Sequence, residues 1–450
     1  MDLLCQFVSV IRHRVLPVWA ILMLAACGGG GGEMNQGGTP TQATTPSITS
    51  QPTGVTVSAG SAAMFSVTVV GSAPLSFQWQ VSKDSGSTWS FAPGSATSAS
   101  YTTQSTAVAD SGSLYRVHVS NAAGTVTSNS ARLTVTGPAP SVERQVNATV
   151  TDSSITATPV TGEAPHLAIN PSASVNQRGK LLVFIPGTQG RPTQYSYILR
   201  AGASRGFHAV GVNYPNQTAM GTLCQFSTDP DCYWNARNAV IFGNGTPVNG
   251  QSPVSQADSI VNRLNKLLNW LNNTYASEGW GQFLLPDKTA DWSRVVLAGH
   301  SQGGGHVGVL AKTFSLSRAV YFSSPEDWNE LSNRPASWTA SRASVTPASL
   351  QYGFGADSDT LVPNAHAFAH WDSLGLAKPA SGPVLVEGGG IPFSNAQQLR
   401  TSLPYNPSST ALTLTLRNHG VTVVDTSTPV DSNGKPLFDT NGVWEYLCFQ

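Results

Sequence analysis

From Ser47 to Thr136, apolar and polar residues alternate. The alternation runs through Val55-Thr56-Val57, Met64 to Val69, Leu75 to Trp79, Tyr115 to Val119 and Arg132 to Thr136. A period of two puts one side-chain set on one face of a strand. With Gly, Ser and Asn turns between the runs, the pattern predicts a β-sandwich over residues 47–136. Further on, the pattern changes. Lys180–Ile185, Phe207–Val212, Arg294–Ala298, Arg318–Phe322 and Leu350–Phe354 are strand-length runs, mostly apolar throughout. Between them, Ser255–Tyr275 carries Ile260, Leu264, Leu267, Leu268 and Leu271 at helical spacing, and Gly303–Phe314 reads as a helix of small residues. Such strands alternating with helices predict a mostly parallel sheet with helices on both faces, over residues 175–450. Residues 137–174 read as a linker, opening on Gly137-Pro138-Ala139-Pro140, with strands that lead into this domain. A late strand is expected at Ala411–Leu416 and a last helix at Val443–Phe449.

The N-terminus has a different texture. Arg12 and Arg14 precede a short apolar run, Val15 to Ala26, and small residues follow. A basic segment, a short apolar core and small residues describe a secretory signal over residues 1–26, too short to span a bilayer comfortably. Leu24-Ala25-Ala26-Cys27 resembles the bacterial lipobox, in which the cysteine is diacylated and becomes the first residue of the mature chain. That resemblance implies a lipoprotein anchored at Cys27 on a bacterial outer membrane or cell surface, with residues 27–46 as a Gly/Thr/Pro tether.

Charge narrows the function classes. Lys and Arg total 24, Asp and Glu total 24, and charged residues are 11% of the chain, against about 25% in ordinary globular proteins. A nucleic-acid binder needs a cationic face to displace counterions, so that class is excluded. Cys224 and Cys232 lie eight apart in a loop and read as a local disulfide in an oxidising compartment. Cys448 is left over, buried in the last helix. No spacing of Cys and His supplies a metal site.

The first folded region resembles an immunoglobulin-like domain. Trp79 stands where a strand tryptophan packs in the core. Asp110-Ser111-Gly112-Ser113-Leu114-Tyr115 matches the approach to the tyrosine corner, with Tyr115 as its tyrosine. Phe65 or Val67, and Val117, occupy the places of the usual disulfide. His118 reads as structural. No residue of this domain is a candidate for catalysis.

The chemistry lies in the second domain. Gly299-His300-Ser301-Gln302-Gly303 is a G-x-S-x-G run between an apolar strand and a helix. The turn needs small flanks because a side chain at 299 or 303 would meet neighbouring backbone. It leaves Ser301 exposed at a helix N-terminus, where developing negative charge is favoured. Gly355 to Pro363 then offers Asp359, with Asp357 as its rival, and Arg417-Asn418-His419-Gly420 offers His419. The order Ser, acid, His resembles the α/β-hydrolase superfamily over about residues 175–450. The resemblance implies a serine hydrolase with no metal or organic cofactor. Ser301 is its nucleophile, His419 its base and Asp359 its acid, with an oxyanion hole from the backbone of Gln302 and Thr188. His366 and His370 are four apart; with no third ligand they read as a solvated helix face rather than a zinc pair. Gly304, Gly305 and His306 read as close helix packing. Trp234, Trp280, Trp328, Trp338 and Trp371 are candidates for a lid or acyl pocket as well as for packing, and the loop from Thr222 to Pro253 is long enough to roof a cleft. The expected function is a surface-anchored carboxylic-ester hydrolase with an ester substrate, a membrane anchor and no nucleic-acid partner. A peptidase or amidase on the same fold and an adhesin with a non-catalytic hydrolase scaffold are the alternatives.

Overall fold

The computed structural model describes residues 42–136, 141–156, 164–245, 247–248, 250–408 and 413–450. The expected signal segment, Cys27 and most of the tether lie outside the described residues.

The alternating region folds as an immunoglobulin-like sandwich. One sheet runs Val55–Ser58, Ala131–Thr136, Leu114–Asn121, Ser76–Ser82, Ser90–Phe91, with Gly124–Thr127 also on Leu114–Asn121. Ser47–Ser50 pairs with Thr68–Val70, and Met64–Ser66 with Ser100–Thr102. Val55–Ser58 and Ala131–Thr136 are parallel, although they stand near opposite ends of the domain. The inward set is apolar: Phe65, Trp79, Tyr101, Tyr115, Val117 and Leu133 are all buried. Tyr115 is a correction to the corner reading. Its ring stacks on Phe65 at 4.6 Å, burial pushes its phenol up to about 12, and its hydroxyl has no hydrogen-bond partner among the described residues.

The second region is built on a nine-stranded mixed sheet. Numbered in chain order, its strands are β1 (Val142–Val146), β2 (His166–Asn170), β3 (Leu181–Ile185), β4 (His208–Gly211), β5 (Val295–His300), β6 (Arg318–Phe322), β7 (Gln351–Ala356), β8 (Val384–Leu385) and β9 (Gln398–Thr401). Their spatial order is β1-β2-β4-β3-β5-β6-β7-β9-β8. Pairing is antiparallel from β1 to β4 and parallel from β4 onward. The sheet therefore starts within residues 137–174. Along β3, Leu181, Val183 and Ile185 enter one core while Leu182 and Phe184 enter another. Both faces are covered, which is why the strands read as continuous apolar runs.

The helices follow the same logic. In chain order they include α1 (Ser196–Ser204), α2 (Cys232–Phe242), α3 (Ile260–Thr274), α4 (Gln302–Thr313), α5 (Asn364–Ser373) and α6 (Leu414–His419). In α3 the five apolar residues at helical spacing are all buried, and the Ser259 hydroxyl accepts from the Asn262 N–H at 3.2 Å. That cap satisfies one orphan donor and explains why the helix starts later than Ser255. Of the expected strand at Ala411–Leu416, residues 411–412 lie outside the described residues and the rest is overturned: Leu414–His419 is helical, opened by Thr413, whose hydroxyl accepts from the Leu416 N–H. Leu414 and Leu416 are exposed, so the alternation there has no buried face. Val443 and Trp444 lead into a π-helical turn, Glu445–Phe449, which buries Cys448. Cys224 and Cys232 form a disulfide with Cα atoms 5.8 Å apart.

Candidate functional site

The site grows from the end of β5. After His300 the chain turns at Ser301, with φ 55° and ψ −123°, and enters α4. Positive φ is uncommon for a serine and costs on the order of 1–3 kcal/mol, so the surroundings must impose it. They do. A Cβ at Gly303 would lie 2.0 Å from the Ile185 carbonyl oxygen, and one at Gly299 would lie 2.5 Å from the Gly303 backbone. The Ser301 N–H donates to the Phe322 carbonyl at 3.0 Å. The next helical turn is packed as tightly. Cβ atoms at Gly304 and Gly305 would collide with Ser324 and Arg237.

Asp359 and His419 meet across sixty residues. His419 Nδ1 lies 2.8 Å from Asp359 Oδ2, and both residues are 5% exposed. The other carboxylate oxygen accepts from the N–H groups of Leu361 at 2.9 Å and Val362 at 3.0 Å. Burial alone would raise the Asp359 carboxyl. The facing His419, their hydrogen bond and the Val362 N–H outweigh burial and hold it below its ordinary value. With Nδ1 donating to the carboxylate, a neutral His419 keeps Nε2 free to accept a proton. Asp357 is engaged elsewhere, accepting from Asn364 at 2.8 Å and pairing with Arg400.

Ser301 and His419 line one cavity of about 610 Å³. Its apolar wall includes Met220, Leu361, Val362, Leu416 and Val424, and its polar lining includes Thr188, Gln189, Gln194, Gln225 and Glu326. Trp234, Trp280, Trp328, Trp338 and Trp371 are absent from this lining, which corrects the lid and acyl-pocket reading. Trp280, Trp338 and Trp371 are fully buried. The roof expected from the Thr222–Pro253 loop is partial: Thr222, Gln225 and, from α2, Arg237 reach the cavity.

The loop after β3 is held in an unusual way. The Gly187 N–H donates to the Tyr195 hydroxyl at 3.2 Å, Gln189 to the Asn216 carbonyl at 3.0 Å, and Gly190 to the Gly187 carbonyl at 3.0 Å. Thr188 is the one N–H of this tetrapeptide without a partner among the described residues. Gln302, as the first residue of α4, also has no intrahelical acceptor for its N–H. The Thr188 hydroxyl donates to the Gln302 side-chain oxygen at 2.6 Å, tying the two positions together. Asn216 donates to the carbonyls of Gly187 and Gly190 at 2.8 and 2.9 Å.

Several contributors escaped sequence reasoning. Tyr195 and His300 are buried beside the site and hydrogen-bonded to each other at 3.1 Å. Arg237 and Asp327, both essentially inaccessible, form a bidentate pair. Arg237 also donates to the Gln302 carbonyl at 2.9 Å. The only legible hint was Gly305, whose missing side chain makes room for the guanidinium. His366 and His370 are corrected as well. His370 is fully buried, with its nitrogens on the carbonyls of His366 and Asp327, and His366 stacks on Trp328 at 3.9 Å. Among the described residues, no group of His, Cys, Asp and Glu is arranged to hold a metal, and no helix is long and apolar enough to cross a membrane.

Comparison with known families identifies the first domain. Residues 46–135 match the immunoglobulin I-set domain. The chain carries an immunoglobulin-like domain of the I-set type. Among solved structures, it is similar to Sidekick-1 immunoglobulin domains 1–5 at 21% identity, covering 21% of this chain and 20% of that one, with a TM-score of 0.18. An I-band fragment from titin is 26% identical, covering 23% and 36%, with a TM-score of 0.18. The twitchin kinase region from C. elegans is 25% identical, covering 21% and 17%, with a TM-score of 0.17. Each match thus spans well under half of the solved chain. No curated protein matches the chain in sequence.

Proposed function

We propose that the second domain is a serine hydrolase of the α/β-hydrolase type, acting on carboxylic esters through an acyl-enzyme. The observation that carries this reading is the buried His419–Asp359 hydrogen bond lining the same cavity as the strained Ser301. Asp359 fixes the tautomer in which His419 Nε2 takes the Ser301 proton, and it stabilises the imidazolium that results. The Ser301 oxygen then bonds to the ester carbonyl carbon. The carbonyl oxygen becomes an oxyanion, and the unpartnered N–H groups of Thr188 and Gln302 are the donors for it. His419 returns the proton to the leaving alcohol, and water repeats the sequence on the acyl-enzyme. The cavity's apolar wall fits the hydrocarbon part of an ester. A fluorophosphonate probe tests the reading. Peptide mapping should find the adduct on Ser301, and esters of graded acyl length should be turned over. Labelling of Ser301→Ala at the wild-type level would overturn it.

The I-set match favours a second role, surface binding, with the sandwich as a spacer or weak binding module. A pure adhesin is distinguished by unchanged behaviour of Ser301→Ala in every assay. We further propose that Cys27 carries lipid and holds the chain at a bacterial surface. Cys27→Ser should move the protein to a soluble fraction, and continued detergent partitioning would contradict the anchor.

A further inference from the structure

We propose that Tyr195 and His300 are positioning residues, linking the oxyanion loop to the backbone of the general base through one hydrogen-bond chain from Gly187 to His419. The inference rests on the hydrolase reading above. The chain has four members from three separate stretches of sequence. The Gly187 N–H meets the Tyr195 hydroxyl at 3.2 Å, that hydroxyl meets His300 Nδ1 at 3.1 Å, and His300 Nε2 meets the His419 carbonyl oxygen at 3.0 Å.

The chemistry of the end groups fixes its direction. A backbone N–H can only donate, so the Tyr195 oxygen accepts from Gly187. A backbone carbonyl can only accept, so His300 carries its proton on Nε2. Nδ1 of the neutral ring is then an acceptor, and the Tyr195 O–H is the donor that fills it. No hydroxyl rotor or tautomer is left undetermined. Burial holds His300 far below the ordinary histidine range, at about 3, with the neighbouring His419 acting in the same direction. The ring therefore stays neutral while the base beside it works.

Two contacts turn this chain into a positioning device. A Cβ at Gly187 would lie 3.0 Å from Ser301 Cβ and 3.2 Å from His300 Nδ1, so the loop rests directly on the elbow. A shift of Gly187 moves Thr188, the next residue, and with it a proposed oxyanion donor. At the other end, the His300 and His419 rings lie 4.6 Å apart. A neutral flank leaves the charge forming on His419 unopposed, whereas a protonated one would repel it. A misplacement of about 1 Å in such a site can cost roughly 100-fold in rate.

The test uses the full chain and three variants. Tyr195→Phe keeps the ring and removes the hydroxyl. His300→Gln keeps an N–H donor near the Nε2 position, and His300→Leu removes it. Tyr195→Phe should lower kcat by roughly 10- to 100-fold with KM within about twofold, the signature of lost transition-state geometry. His300→Gln should exceed His300→Leu in kcat by about tenfold or more, a rescue that simple packing does not give. Nitrogen-15 NMR of the wild-type protein should find His300 protonated on Nε2 alone between pH 5 and 8. Unchanged kcat in Tyr195→Phe, equal loss in the two His300 variants, or an Nδ1–H tautomer each overturns the inference. Failure of the hydrolase reading looks different: wild-type protein would then neither take the fluorophosphonate nor turn over any ester.

Discussion

The two folded regions bury different kinds of side chain. The sandwich buries an apolar core around Phe65, Trp79 and Tyr101, and its ion pair, Lys83 with Asp110, stands at the surface. The mixed-sheet region also buries charge and titratable groups: Arg237 with Asp327, Arg263 with Asp258, and His166, His208, His300, His306, His370 and His419. Burying such groups is expensive unless each is paired, so a fold that does so repeatedly carries a cost that apolar packing alone does not. The sandwich is held by apolar packing. The mixed-sheet region is built around a site.

The largest expected effect separates the regions by chemistry. Ser301→Ala and His419→Ala should each lower ester turnover by roughly 10⁴-fold or more. No substitution on the sandwich should come near that. Asp359→Asn should fall in the same range, because the amide reverses the tautomer of His419. Asp357→Asn should cost far less, since Asp357 pairs with Asn364 and Arg400. Steady-state kinetics on one soluble ester ranks all four. If Asp357→Asn proves the more damaging, the pairing of acid and base is wrong.

Stability should separate them next. Removing one partner of a buried ion pair leaves the other uncompensated, at about 3–5 kcal/mol. Asp327→Ala strands Arg237, which is 1% exposed, and should lower the unfolding midpoint of the mixed-sheet region accordingly. Lys83→Ala removes the sandwich's surface pair with Asp110, where exposed pairs contribute about 0–1 kcal/mol. Urea unfolding followed by tryptophan fluorescence measures both.

These contrasts explain what the sequence could convey. Period-two alternation marked the sandwich because each strand there has one buried face. The Gly299–Gly303 run marked the elbow because backbone lies 2.0 Å from where a Cβ at Gly303 would stand, and that demand is written in the residues themselves. The chain order then pointed to Asp359 and His419, which the fold brings together. Local pattern failed where contacts decide. Ala411–Leu416 alternates like a strand, yet Leu414 and Leu416 are both exposed and Leu414–Leu416 opens a helix. His366 and His370 look alike in sequence, and only packing against Trp328 and Asp327 distinguishes them. Tyr195, His300 and His419 are separated by 105 and 119 positions, so no spacing rule connects them.

Acid should widen the difference in stability. Burial lowers His166 and His300 to about 3, His306 well below its ordinary value, and His208 and His370 below theirs. Below about pH 6.5 the unfolded chain takes up protons that these folded histidines refuse, so stability falls as pH drops from about 6.5 toward 3. Each fully shifted histidine contributes about 1.4 kcal/mol per pH unit over that window. Glu326, raised to about 8 by burial, works the other way, gaining stability as pH falls from about 8 to about 4.5. Asp425, its carboxyl also raised by burial, works in the same direction as Glu326, and five histidines outweigh these two carboxyls. The sandwich has a single histidine, His118, which is half-buried and shifted down by that burial. Calorimetry from pH 7 to 4.5 should therefore find the mixed-sheet transition moving down well ahead of the sandwich transition. Parallel movement would contradict the assignment of these histidines as neutral and buried.

The smallest expected effect is the sharpest test of the division. The residues around the cavity, from Gly187 and Thr188 through Met220, Arg237 and Ser301 to His419 and Val424, all come from the mixed-sheet region. None comes from residues 47–136, which form a core of their own. Deleting residues 28–137 should therefore leave kcat/KM on small soluble esters within about threefold, a change below about 0.7 kcal/mol. On an insoluble or surface-bound ester the loss can be larger, because a second binding module raises the effective concentration of substrate at the site. The two proteins should be compared on both kinds of substrate, with circular dichroism to establish that the shortened chain is folded. A well-folded truncation that has lost activity on small esters would mean that the sandwich reaches the site, and the separation between a stable spacer and a chemical domain would fall.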